Sequence, residues 1–490
     1  MLPPREIRQN RIEKLKVLSL FSGAGGLDIG FARAGFQVVA CIEKEKVCCE
    51  TLECNKEWEY GWNCRVILGD IENLSPNSIY DGSIDLLLGG PPCQSFSAMG
   101  RRMGGVAGIK DSRGQLFKRY CDFVAYYQPK GFLFENVRGI LGANQGRDWQ
   151  EILTTFQKLG YVISYAILDA ADYGVPQHRE RLFVVGLQGE EAFRFPRPTH
   201  GLNSLNQKPY VTALDAIADL QDPEEQNHTY PGKYGHFLEC IPPGHNYLFL
   251  TKEMGYPEPV FAWRSHFYDF LYKAHPNQPV RTIVARPGAY SGPFHWKNRR
   301  FTIAELKRLQ TFPDNYHLSG YLSDKIKQIG NSVPPLLAYH LARAILQQLF
   351  ATPLDVELLP PSQHKASLTI LQADKRRQTN RIKHQEEIKN LPLIRAINET
   401  NQKPLMQPPS NEFYSLYLKY SNPKTCQVSN SFIRDIQELE SYYKVSFTKQ
   451  GSSLIITVAQ VFSEYDYAKH HILTYSLVMD RCIGNKIENI

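Results

Sequence analysis

The first third of the 490-residue chain predicts an α/β fold on a mostly parallel sheet. Short apolar runs alternate there with helical stretches, the pattern of βαβ units. The first run ends in a glycine-rich turn, and later runs end in acidic or thiol-bearing clusters. In open sheets of this kind ligands bind at the carboxyl ends of the strands.

Lys16-Val17-Leu18-Ser19-Leu20-Phe21 reads as the first buried strand and Val38-Val39-Ala40-Cys41-Ile42 as the second. Val66-Ile67-Leu68-Gly69 leads to Asp70, and Ile84-Asp85-Leu86-Leu87-Leu88 leads to Gly89-Gly90-Pro91-Pro92. Gly131-Phe132-Leu133-Phe134 leads to Glu135-Asn136. A helix from Trp149 to Leu159 sets Ile152, Leu153, Phe156 and Leu159 on one face, and Gly160 stops it. Tyr161 to Leu168 and Arg181 to Leu187 read as two further strands.

From Leu187 to about Gly320 the chain is rich in Pro, Gly, His and aromatics, with weaker periodicity. Thr302-Ile303-Ala304-Glu305 forms a capping box, and Leu306 and Leu309 supply the following apolar face. Pro334 to Phe350 is an amphipathic helix through Leu336, Leu337, Leu341, Ile345 and Leu349. Residues 351–410 read as a proline-punctuated linker with a basic helical patch (Lys375, Arg376, Arg377, Arg381, Lys383). The remainder, 411–490, is expected to be a small α+β extension with a helix from Ser431 to Tyr443 and a strand from Leu454 to Phe462.

Composition narrows the class. Hydrophobic residues make up 42% and charged residues 21%, which is globular rather than disordered. A net charge of +7 permits an acidic partner without demanding one. No apolar run approaches the roughly 18 residues of a membrane span, and no secretory signal precedes the first strand. Ten cysteines are too sparse for a disulfide scaffold. Cys48, Cys49, Cys54 and Cys64 lack paired C-x-x-C spacing, so no metal site is expected.

Chemistry concentrates at the strand ends. Phe21-Ser22-Gly23-Ala24-Gly25-Gly26-Leu27-Asp28 lets backbone approach a ligand and opens a helix N-terminus toward it. Asp28 stands where a dinucleotide fingerprint places its third glycine. That spacing disfavours a pyrophosphate cofactor and a nicotinamide oxidoreductase, and leaves a smaller adenosine cofactor open. Glu43, about 20 residues past the first glycine, suits ribose hydroxyls, and Asp70 suits an adenine edge. Gly89-Gly90-Pro91-Pro92-Cys93-Gln94-Ser95-Phe96-Ser97 puts a thiol in a rigid loop, where a thiolate can act as nucleophile. Glu135 ends the adjacent strand, and Arg179 and Arg181 sit on alternate positions, hence one face if extended. Thiol, acid and paired guanidiniums suit attack on an anionic or electron-poor ring.

In order and spacing these segments resemble the signatures of the cytosine-5 DNA methyltransferases, over about Leu15 to Phe350. Phe21 to Gly26 resembles the S-adenosylmethionine loop, Pro92-Cys93-Gln94 the catalytic loop, and Glu135-Asn136-Val137 and Gln177-x-Arg179-x-Arg181 the next two signatures. Arg281-Thr282 and Arg308-Leu309-Gln310-x-Phe312-Pro313 resemble the segment closing the recognition domain, and Gln328 to Pro334 the final signature. The resemblance implies a methyltransferase fold, with residues 1–187, completed by 323–350, as catalytic and cofactor-binding domain and 188–322 as target-recognition domain. It implies that Cys93 attacks C6 of a flipped-out cytosine, that Glu135 holds or protonates N3, and that Arg179 and Arg181 bind the O2 edge, the ribose-phosphate and Glu135. S-adenosylmethionine contacts carry over to Phe21, Ser22, Gly23, Gly25, Gly26, Glu43, Asp70, Ile71, Pro92, Asn331 and Ser332. Substrate contacts fall to Gln94, Ser95, Ser97, Asn136, Val137, Gln177, Arg264 and Arg281.

Within the resemblance, a transfer-RNA cytosine is the rival substrate. Its sister group carries a Cys-Phe-Thr segment in the recognition region, and none occurs between 188 and 322. A non-catalytic DNA-binding relative would lack the nucleophile, which is present. The expectation is a cytoplasmic, nucleoid-associated prokaryotic enzyme of restriction-modification type. It would act on double-stranded DNA as a monomer with no stable protein partner, linked functionally to a cognate endonuclease. Arg299 and Arg300 read either as phosphate contacts or as a solvated basic pair.

Overall fold

The computed structural model describes residues 15–60, 63–92, 112–204, 206–222, 230, 232–264, 267–350, 352 and 354–360, and three C-terminal strands. Described residues fall into two compact units, one drawn from 1–239 and 269–368, the other from 240–268 and 369–490.

In the first unit, β1 (Lys16–Leu20), β2 (Gln37–Glu43), β3 (Arg65–Leu68), β4 (Leu86–Gly89) and β5 (Gly131–Asn136) lie parallel. β6 (Val162–Asp169) and β8 (Glu180–Leu187) complete a seven-stranded sheet of order β3-β2-β1-β4-β5-β8-β6. β8 alone runs antiparallel, pairing Asn136 with Leu182 on one side and Asp169 with Glu180 on the other. Its beginning therefore lies at the edge where the other strands end. A short pair, β7 (Gln177–His178) with β9 (Val280–Arg281), ties this edge to the segment that follows the second unit's 240–268 in sequence.

Helices cover both faces, as the near-continuous apolar strands require. One face packs α1 (Gly26–Arg33) and the long helix Pro335–Leu349 on Val17, Leu86, Leu88, Leu133 and Val185. The other packs two helices, Ser112–Tyr127 and Arg147–Lys158, on Leu18, Leu20, Phe132, Phe134 and Val184. Phe156 sits within ring-contact distance of Phe117, Tyr120, Phe132 and Phe134, in mostly edge-on pairs. A third core joins α1 and β2 to Val280, Ile283, Leu306, Leu309, Tyr316 and Ile329. The capping box at Thr302 and Glu305 is present and starts the helix Ile303–Leu309.

In the second unit, β10 (Tyr443–Gln450), β11 (Ser453–Gln460) and β12 (Tyr475–Asp480) form an antiparallel sheet. Its register pairs Tyr443 with Gln460 and Gln450 with Ser453, and Ser453 with Asp480 and Val458 with Tyr475. Tyr443 opens a strand rather than closing a helix, because Tyr443 to Thr448 alternates apolar and polar residues with period two. The rest of the helix expected from Ser431 lies outside the described residues, as does the basic patch of 375–383.

α1 carries a fully buried carboxyl. Asp28 Oδ1 accepts from the Cys41 thiol at 3.7 Å, and Oδ2 has no hydrogen-bond partner among the described residues. Burial pushes this acid up to about 6, opposed by a hydrogen bond from Ser19. Since the folded value lies above the unfolded one, the stability cost is absent at low pH, grows between about 4 and 6, and is complete above that. Asp28→Asn should therefore raise the melting temperature more at pH 8, where at most about 3 kcal/mol of stability is recovered, than at pH 5, where about half of that is. Equal shifts at the two pH values would show that ionisation of Asp28 carries no cost.

Candidate active site

The carboxyl edge of the sheet gathers the polar residues into one region. At the end of β1 the chain turns through Phe21, Gly23 and Gly25, all at positive φ (56°, 54° and 80°). Gly25 caps α1, and a Cβ there would lie 2.1 Å from the Tyr60 hydroxyl, so no larger residue fits. Tyr60 and Tyr316 share a hydrogen bond of 2.8 Å beneath the turn, and Tyr316 donates to the Ala24 carbonyl at 2.9 Å. Ser22 is tied back to the Ser19 hydroxyl, and Gly26 sits against the Val333 carbonyl and the Ser332 side chain.

Glu43, at the end of β2, braces this loop. One carboxylate oxygen accepts from the Gly23 N–H at 2.8 Å, and the other accepts from the N–H groups of Lys44 and Glu45. Asp70, after β3, accepts from the Glu72 N–H and pairs with the Lys44 ammonium at 2.8 Å. The Lys44 hydrogen bond holds its carboxyl below the ordinary value. Ile71 is buried under the same loop. Ser332 is nearly buried, with its hydroxyl donating to the Gln328 carbonyl, while Asn331 is exposed.

Between these loops and β8 lies the acid. Glu135 Oε1 is 3.2 Å from Arg181 Nε, and both side chains are mostly buried. Burial raises the Glu135 carboxyl above its ordinary range, and Arg181 and then Arg179 pull it back down. Burial likewise lowers both guanidiniums, with Glu135 acting to restore them. Gly90 faces this acid closely: a Cβ there would lie 2.8 Å from Glu135 Oε2. Asn136 donates to the Pro91 carbonyl at 3.5 Å and accepts from the Val137 N–H, which fixes the turn after β5. Pro92 is exposed. Cys93, Gln94, Ser95 and Ser97 follow it in sequence and lie outside the described residues.

Other sequence-derived candidates sit differently. Gln177 has no exposed surface and spends both ends of its amide inside the protein. The Arg179 guanidinium donates to the carbonyls of Gly330 and Ile283. Arg281 stacks over the Tyr272 ring at 3.9 Å. Arg264 belongs to the second unit, where it is exposed beside Phe267 and near the exposed Trp263 and Tyr268. Arg299 and Arg300 are half-buried and engaged by groups of the protein itself. Arg299 is bound by Glu305 and Asp222, and Arg300 by the carbonyls of Gly288, Ala289 and Ser291. Tyr60, Tyr316, Lys44 and Gln310 went unassigned from sequence. Only Gln310 left a local trace, in its Leu309-Gln310-x-Phe312-Pro313 setting.

Loop, acid and arginine pair on a seven-stranded sheet with one reversed strand define a Rossmann-like methyltransferase fold. Residues 15–347 match the family described as C-5 cytosine-specific DNA methylase. The Type II methyltransferase M.NgoFVII of Neisseria gonorrhoeae is 38% identical over 341 residues, covering 68% of this chain and 87% of that protein. M.SacI of Streptomyces achromogenes is 33% identical over 371 residues, covering 69% and 94%. M.NgoPII of Neisseria gonorrhoeae is 34% identical over 349 residues, covering 68% and 96%. The chain belongs to the C-5 cytosine-specific DNA methylase family and is a DNA cytosine-5 methyltransferase.

The contact between Gly90 and Glu135 generates a sharp expectation. Gly90→Ala should leave a folded protein whose methyl-transfer rate falls about 100-fold, because displacing a catalytic group by about 1 Å costs that much. Parallel circular dichroism and single-turnover assays check it, and a rate near wild type would show that the Glu135 position is not critical.

Proposed function

We propose that the protein methylates C5 of a cytosine within one specific sequence of double-stranded DNA, using S-adenosylmethionine, and protects host DNA from a cognate restriction endonuclease. The observation that carries this reading is the Glu135–Arg181 pair beside Gly90 and Pro91, two residues ahead of Cys93.

The residues of the first loop fit an adenosine-bearing cofactor. A Cβ built on Gly23 would meet no atom within 4 Å, so this side of the turn is open. The carboxylates of Glu43 and Asp70 stand at the ends of the two neighbouring strands, suited to ribose hydroxyls and to the adenine edge. Phe21, Ser22, Gly25, Gly26, Ile71, Pro92, Asn331 and Ser332 complete the set. Bound there, S-adenosylmethionine supplies an electrophilic methyl group. Its positive charge suits a site with two carboxylates.

On the DNA side, the target cytosine is flipped out of the stack, which costs a few kcal/mol. The Cys93 thiolate adds to C6, and electron density moves into the ring toward N3 and C5. Glu135, whose carboxyl is raised above its ordinary range by burial, donates at N3 and offsets that charge. Arg181 orients Glu135, and Arg179 with Arg181 presents positive charge to O2 and the sugar-phosphate. With the methyl group on C5, loss of the C5 proton to a base and elimination of Cys93 as thiolate restore the aromatic ring, and the N3 proton returns to Glu135. Gln94, Ser95, Ser97, Asn136 and Val137 line the substrate side of this chemistry.

Residues 1–187 with 323–350 serve as the catalytic and cofactor-binding domain, 188–322 as the target-recognition domain, 351–410 as a linker and 411–490 as an accessory extension. Arg264 and Arg281 are assigned to DNA recognition. The enzyme works as a monomer in the cytoplasm, at the nucleoid. No helix among the described residues is long and apolar enough to cross a membrane.

Bisulfite sequencing of DNA from a methylation-free bacterial host expressing the protein tests the reading. One recurrent sequence should resist conversion. Cys93→Ser should protect none while still shifting the same DNA in a gel. Soluble wild-type protein that protects no sequence would overturn the proposal.

A further inference from the structure

Gln177 and Gln310 form a buried amide relay that no part of the reaction scheme uses. Both have no exposed surface. Gln310 Nε2 donates to the Ser332 carbonyl at 2.6 Å, and this fixes which end of the amide is the donor. Its Oε1 then accepts from Gln177 Nε2. Gln177 Oε1 in turn accepts from the Ile283 N–H at 3.0 Å. The relay begins on a backbone carbonyl and ends on a backbone N–H, so only one orientation of both amides satisfies every group. An unsatisfied group left in so buried a place is costly.

Of the four segments it joins, those of Gln177, Ile283 and Ser332 bear on the site. Ser332 and Val333 pack on Gly26 of the cofactor loop. Gln177 lies two residues before Arg179, whose guanidinium donates to Ile283 and Gly330, the same two segments reached by the relay. Arg179 in turn acts on the Glu135 carboxyl. Among the described residues the Arg179 Nε has no hydrogen-bond partner, and the two carbonyls are the groups that orient the guanidinium.

We propose that Gln177 and Gln310 are positioning residues that set the 330–332 segment beside the cofactor loop and Arg179 beside Glu135 in one register. Binding of S-adenosylmethionine and placement of the arginine are thereby fixed together. This assigns Gln177 to positioning rather than to contact with DNA, and it rests on the cofactor and arginine roles proposed above.

The test is titration calorimetry of full-length protein with S-adenosylhomocysteine, alongside single-turnover methyl transfer. Gln310→Leu removes both amide bonds at similar size and should weaken binding about tenfold, the effect of one net hydrogen bond on an equilibrium. Gln310→Glu supplies the second readout. Its buried carboxyl regains the donor only when protonated, so affinity should recover as pH falls from about 8 to about 6, a trend absent from wild type. A purely structural role would lower the melting temperature of either variant without giving that pH-dependent affinity. Affinities for both variants within about threefold of wild type at every pH would overturn the proposal, that being under one hydrogen bond's worth. Glu43→Ala, measured in parallel, separates the two ideas: unchanged affinity there would refute the cofactor site itself.

Discussion

A carboxyl group placed out of water against a guanidinium organises this protein. Ionised Glu135 is disfavoured by desolvation, and the charges of Arg181, at 3.2 Å, and of Arg179 offset part of that cost. Buried ion pairs of this kind contribute little net stability and are weak reasons for a fold to keep them. Their value is in the proposed chemistry: burial shifts Glu135 toward its neutral form, and a neutral carboxyl can donate a hydrogen bond to a ring that is gaining electrons. The reversed strand β8 makes the pairing possible. Running β8 against its neighbours brings its first residues to the edge where β5 ends, and the arginines meet the acid there.

Around that pair, each loop has a mechanical role with an identifiable cause. Gly90 lacks a side chain because Glu135 occupies the space a Cβ would need. The glycine turn after β1 is held from below by Tyr316 and Tyr60, and from the side by Glu43, so its N–H groups and open face have fixed directions. Long-range bonds from 310–332 reach both the turn and Arg179. The last signature segment thus closes the site although it is distant in sequence.

Much of this was legible in the residues. Each expected strand through β6 and β8 is present within a few positions, because apolar runs bounded by glycine or charge leave little freedom. The chemistry-bearing residues at their ends were legible for the same reason. The direction of β8 was not, since Arg181 to Leu187 reads alike in either sense. The burial of Gln177 and Arg179 was also hidden: Gln177 bonds a residue 133 positions away, and no local spacing encodes that. Arg299 and Arg300 looked like surface charge because their partners, Asp222 and the 288–291 carbonyls, are set by tertiary packing. Asp70 was read as an open acceptor, and the lysine that holds it became visible only with β2 and β3 side by side.

The account stands or falls on Glu135. Single-turnover methyl transfer by Glu135→Gln, with DNA affinity measured on the same preparation, addresses it directly. Glutamine keeps the shape and can donate a hydrogen bond, but it cannot deliver a proton. The account predicts a rate lowered by about 100-fold or more with DNA binding retained. A rate close to wild type would contradict it and leave the arginine-flanked acid with a structural role alone.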